Sequence, residues 1–128
     1  MLADKHILVG VTGGIAAYKS AELVRKLVKQ SAGVRVMMTA EAERFVSPLT
    51  FATLTGYPVR SDVWSDSDAS FTPHIDWARW ADMICVAPAT ANTVAKLANG
   101  LSDDMISTTV LAARVPVLSC PSDEYRHV

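Results

Sequence analysis

Four short apolar runs punctuate the chain: "HILVGV" (His6–Val11), "VRVMMT" (Val34–Thr39), "DMICVA" (Asp82–Ala87) and "VPVLSC" (Val115–Cys120). Each is nearly continuous rather than alternating, the pattern of a strand covered on both faces. The stretches between them read as helices. In "IAAYKSAELVRKLVKQ" (Ile15–Gln30), Ile15, Tyr18, Leu23, Leu27 and Val28 fall near helical spacing with Lys and Arg between them, and "SAG" stops the helix. "AEAERFV" after the second run is helical. Pro48 opens a further segment, "PLTFATLTG", which Gly56 closes. Trp64 to Thr72 is a polar loop, and "PHIDWARWA" makes one or two helical turns from Pro73. "ANTVAKLANG" is a helix ending at Gly100. "SDDMISTTVLAA" is another, with Ser102 as N-cap and Asp103 and Asp104 favouring its first turn.

Strands alternating with helices, without hairpin signals, predict an α/β fold: a parallel sheet with helices on both faces. The 128 residues suit a single domain spanning 1–128. A formal net charge of −1 gives no polyanion signal, so nucleic acid is not an expected partner. No run reaches the ~18 apolar residues of a membrane span, and no signal peptide is recognisable. A cytoplasmic location is therefore the default. Cys85 and Cys120 lie inside apolar runs and are read as buried thiols; a disulfide or metal site is the competing reading. No His/Cys/Asp spacing matches a metal-ligand set.

In a parallel sheet, ligands bind beyond the carboxyl ends of the strands. That rule selects "TGGIAAYK", "TAEAERF" and "APATANT". Gly13 and Gly14 let backbone approach a ligand, and the following helix start favours an anion; a tight turn with no ligand accounts for them equally. In "APATANT", Pro88 fixes the chain past the strand, and Ala87, Ala89 and Ala91 leave room for something bulky. Thr90, Asn92 and Thr93 supply more polar groups than a helix cap requires, which argues for a site. Thr39 ends the second strand on the same rim. His74 stands either as an ordinary surface or core histidine or as a general base beside the third loop. Trp77 and Trp80, three apart, are core or interface anchors.

Taken together, "VTGGIAAYKS" and "HIDWARWADMICVAPATANTVAKLANGLSDDMIST" resemble the flavin-containing cysteine decarboxylases. That family includes phosphopantothenoylcysteine decarboxylase, which in bacteria forms half of a bifunctional coenzyme A biosynthesis flavoprotein, and the peptidyl-cysteine decarboxylases of lantibiotic synthesis. The resemblance implies a flavodoxin-like, Rossmann-type three-layer fold with bound FMN. It implies trimers, or dodecamers built from trimers, with the flavin near a subunit interface. By matching motif, Gly14 and Ile15 lie along the FMN. Thr39 and the segment Thr90, Ala91, Asn92 and Thr93 hold its ribityl phosphate and ring, and His74 is the active-site histidine. The implied reaction is oxidative decarboxylation of a cysteine-bearing small molecule, phosphopantothenoylcysteine to phosphopantetheine in the coenzyme A branch.

The last residues depart from the family pattern. Where the family carries P-x-M-N, Pro121 is followed by "SDEYRHV", which puts Asp123 at the methionine and Glu124 at the asparagine. A carboxylate there repels a substrate carboxylate. The family's flap cysteine and ligase domain are expected to be absent. Two alternatives follow: an FMN-binding oligomer that does not decarboxylate, and a flavin prenyltransferase-like protein. "PHID" argues against the second.

Overall fold

A computed structural model describes residues 3–13, 17–61, 73–89, 95, 98–100 and 105–121, with backbone alone at 73–75, 88–89 and 119–121. Strand β1 (His6–Val11) leads to helix α1 (Tyr18–Lys29), then strand β2 (Gly33–Met38) and a 3-10 turn at Ala42–Arg44. Helices α2 (Pro48–Thr55) and α3 (Pro73–Trp80), strand β3 (Met83–Ala89), helix α4 (Met105–Ala112) and strand β4 (Val117–Pro121) complete the order. The sheet order is β2-β1-β3-β4 and every pairing is parallel.

Both faces of this sheet are apolar, which is why its strands read as continuous runs rather than alternations. Ile7, Val9, Val11, Val34, Val36 and Met38 pack on one side with Val24 of α1 and Phe51 of α2. Leu8, Met37, Ile84 and Val86 pack on the other with Trp77 of α3 and Met105 and Ile106 of α4. The result is the expected three-layer arrangement. Gly10 of β1 lets α4 sit close: a Cβ there would meet the Ile106 side chain at 3.2 Å. Along the outer edge, Arg60 bridges Met37 in parallel, so β2 is not left open.

Local chemistry accounts for where the elements begin and end. Ser47 is the N-cap of α2, its side chain accepting from the Leu49 N–H at 3.2 Å. Pro48 follows at the first helical position, and Gly56 terminates the helix in the left-handed region at φ 79°.

Three differences from the sequence expectation have physical causes. The segment "AEAERFV" makes only a 3-10 turn, because Thr39 gathers its N–H groups: Ala42 N–H donates to Thr39 Oγ1 and to Thr39 O, each at 3.1 Å. Tyr18, expected on the buried stripe of α1, is 59% exposed, since it occupies the first turn above the sheet end; Ser20 and Val24 are the buried positions. β3 runs two residues beyond Ala87, and Pro88 lies inside it, in the irregular stretch between Val86 and Ala89 where a missing N–H is tolerated. The tryptophans follow the core side of their reading: Trp77 is 5% exposed and Trp80 half-buried.

Those tryptophans serve an internal cation. Arg35 projects from β2 with its guanidinium carbon 4.6 Å from the Trp80 ring centre, 4.7 Å from Tyr57 and 5.5 Å from Trp77. His6 stacks on Trp80 at 4.5 Å with the rings 7° apart. A charged residue between Val34 and Val36 is thus held by aromatic faces. Cys85 is a thiol, half-buried rather than fully buried as expected; the side chain of Cys120 lies outside the described residues.

Candidate functional site

β1 has β2 on one side and β3 on the other, and the chain visits them in that order. Its neighbours are therefore reached by crossovers leaving in opposite directions, and β1/β3 is the topological switch point where such sheets bind ligands. The first loop rises from β1 at Thr12 and Gly13, and the third from β3 at Ala87 to Ala89. The second, from β2 at Thr39, flanks the first.

Gly13 lies against the second loop. A Cβ placed on it would stand 2.7 Å from Glu41 Cβ and 3.5 Å from the Glu41 carbonyl carbon, so glycine is required for the two loops to touch. Thr39 N–H donates to Val11 O at 3.0 Å, which fixes this loop at the end of β1. Its hydroxyl oxygen is engaged by Ala42 N–H, and a hydroxyl that accepts one bond still has a proton to donate. Ala87 is fully buried at the end of β3. Ala17, just ahead of α1, makes no side-chain cap bond, and the first turn of α1 carries no acidic residue to repel an anion.

The structure thus brings Gly13, Thr39 and Ala87 to one rim, with Pro88 in the last turn of strand beside them. His74 is the second residue of α3. Gly14, Ile15, Thr90, Ala91, Asn92 and Thr93 lie outside the described residues. The sequence reading missed Ser20. Its hydroxyl, buried in the first turn of α1, donates to the Ala87 carbonyl at the end of β3. Nothing in its flanking residues signals this, because the partner lies 67 positions away.

A cavity of about 510 Å3 lined by Ala78, Arg79, Ala112, Arg114 and Val115 lies elsewhere, where α3 and α4 end and the chain turns back into β3 and β4. Among the described residues, none of those singled out by the sequence lines it. Among the described residues no group of three or more His, Cys, Asp or Glu side chains is placed to hold a metal ion. No described helix is long and apolar enough to cross a membrane.

A doubly wound parallel sheet with small residues and an uncapped helix start at its switch point defines a cofactor-binding class of α/β protein. The chain belongs to the Flavoprotein family, whose model matches residues 1–127. It is 52% identical over 122 residues, 95% of its length, to the coenzyme A biosynthesis bifunctional protein CoaBC of Bacillus subtilis. It is 44% identical over 121 residues to CoaBC of Escherichia coli. The chain spans 30% of the length of each of these relatives. Its fold superposes on the FMN-dependent cysteine decarboxylase SpaF with TM-score 0.86 and 33% identity, covering 94% of this chain and 70% of that one. It also matches a PPC decarboxylase mutant complexed with pantothenoylaminoethenethiol, with TM-score 0.78 and 28% identity, covering 91% of this chain and 66% of that one. The family resemblance read from the loop motifs and the flavodoxin-like fold it implied both hold.

Proposed function

We propose that this chain is an FMN-binding decarboxylase domain that acts on phosphopantothenoylcysteine in coenzyme A biosynthesis. The observation that carries the reading is the superposition of 91% of this chain, with its β1/β3 switch point, on a PPC decarboxylase mutant complexed with pantothenoylaminoethenethiol. The residues present fit FMN. Gly13 and Ala87 keep bulk away from the switch point, and the first turn of α1, which carries no acidic residue, suits a phosphate. In this reading Gly13, Gly14 and Ile15 lie along the cofactor. Thr39, Thr90, Ala91, Asn92 and Thr93 hold its ribityl phosphate and ring, and Ala87 and Pro88 form the floor. Bound FMN would supply a two-electron oxidant for the cysteine Cβ–SH, which makes loss of the carboxylate easy, and in its reduced form would return the two electrons to the enethiol that remains. His74 acts on the substrate as a base or by orienting it. The assembly is a homotrimer or a dodecamer built from trimers, and its location is cytoplasmic.

A second reading, FMN binding without turnover, is favoured by one observation. Asp123 and Glu124 stand where the family motif has methionine and asparagine. One preparation separates the readings. The purified protein should show the oxidised-flavin spectrum and release FMN on denaturation; with phosphopantothenoylcysteine it should evolve CO2. Flavin without CO2 leaves the second reading, and a protein that stays colourless after FMN addition overturns both.

A further inference from the structure

We infer that Ser20 is a positioning residue for the flavin site, joining the first and third rim loops from beneath; this rests on the FMN-binding reading above. Ser20 sits in the first turn of α1 and is fully buried, as is Ala87. A serine in a helix ordinarily bonds back to its own preceding turn or faces water. Here its hydroxyl crosses to another element and donates to the Ala87 carbonyl.

The need for that bond follows from the sheet. β1 and β3 pair in register only as far as Gly10↔Val86. On the other side, β3 and β4 lose register between Val86 and Ala89. Ala87 therefore lies just past the last β1 partner and inside the irregular stretch on the β4 side. Its neighbour Pro88 has no N–H to contribute. A buried carbonyl needs a donor, and Ser20 supplies one from outside the ladder. The same α1 turn continues upward into the first loop, while Ala87 continues through Pro88 into the third. One hydroxyl thus ties the first turn of α1 to the end of β3 at the switch point. A flavin bound at that rim would sense a change in this tie.

The test uses the full chain as Ser20→Ala, with Ser20→Cys as a near-isosteric variant that keeps a weak donor and Val24→Ala as a control. Val24 is buried one turn further along α1, away from both loops. FMN dissociation constants, visible circular dichroism of the bound flavin and apo-protein melting temperatures are measured on all four proteins. Ser20→Ala should weaken FMN about tenfold, in keeping with the loss of one buried hydrogen-bond donor, and change the flavin's dichroism. Ser20→Cys should fall between, and Val24→Ala should lower the melting temperature while leaving affinity and dichroism alone. Wild-type affinity and dichroism in Ser20→Ala, or in Ser20→Cys should the alanine variant not fold, overturn the inference alone. A change no larger than that of Val24→Ala at equal destabilisation overturns it too. Wild-type protein that takes up no FMN overturns the functional reading and this one with it.

Discussion

Replacing Gly13 with alanine tests whether the contact between the first two rim loops shapes the cofactor site. The added Cβ would lie 2.7 Å from Glu41 Cβ. Ordinary carbon contact is about 3.5–4.0 Å, so the loops must part by about 0.8 Å or more. Glu41 cannot swing aside, because the atom struck is its Cβ, fixed to the backbone. That backbone is itself pinned by the Ala42 N–H bonds to Thr39. Overpacking of this kind costs about 1–3 kcal/mol, and the lower half applies because Glu41 is exposed and its loop has room to move outward. Against this, exchanging glycine for alanine restricts the unfolded chain and returns about 0.4–1 kcal/mol. The net loss of stability is therefore about 1 kcal/mol, a fall of roughly 3–6 °C in the apo-protein melting temperature. The displacement itself falls on the loop proposed to lie along FMN. Affinity should drop about tenfold, equivalent to 1.4 kcal/mol spent on reclosing the loops around the ligand. Flavin fluorescence titration and a thermal melt of the apo-protein read the two effects separately. Unchanged FMN affinity would refute the reasoning. A melting temperature lowered by more than about 10 °C with affinity intact would show Gly13 to be a scaffold residue only.

Three further substitutions separate site from scaffold. His74→Asn should retain FMN while decarboxylation falls by about 10²–10⁴-fold, measured as CO2 release under saturating substrate; undiminished turnover removes His74 from the chemistry. Gly56→Ala, at φ 79° with nothing within 4 Å of the added Cβ, should cost about 1 kcal/mol in urea unfolding and leave FMN affinity unchanged. Phe51→Ala empties a fully buried position between α2 and the sheet and should cost about 3–5 kcal/mol, with a midpoint shift under 1 kcal/mol contradicting its place in the core.

The elements most legible in the sequence are those set by short-range physics. β1 matches its apolar run residue for residue, and α2 is bounded by Ser47, Pro48 and Gly56, whose side chains or missing Cβ act on their own immediate backbone. Where a distant group intervened, the local pattern misled. Pro88 reads as the end of a strand, since proline cannot serve a ladder. Yet β3 continues through it to pair Ala89 with Pro121, the missing donor falling in a register shift that no local feature announces. The run "AEAERFV" has good helix formers, but Thr39 draws the Ala42 N–H back and the second loop must stay within reach of Gly13. Arg35 between two buried valines is unexplained by its neighbours and becomes intelligible only with Tyr57, Trp77 and Trp80 around it.

The site shows the same division. Its loops were legible because strand ends in a parallel sheet are where ligands bind, and that rule needs only the order of elements along the chain. Which two loops face each other across the switch point depends on the sheet order β2-β1-β3-β4, and four similar apolar runs carry no mark of their neighbours. The order is instead fixed by fits between elements: Gly10 admits Ile106 over β1, Arg60 closes the edge at β2, and Ser20 meets the Ala87 carbonyl where the β1–β3 ladder runs out. The last of these also joins α1 to β3 at the rim proposed to hold the cofactor. On that proposal, the residue that completes the end of the sheet and the residue that positions the flavin site are the same serine. The fold and the site are therefore not independent selections at this end of the molecule, and a substitution at Ser20 should be felt by both.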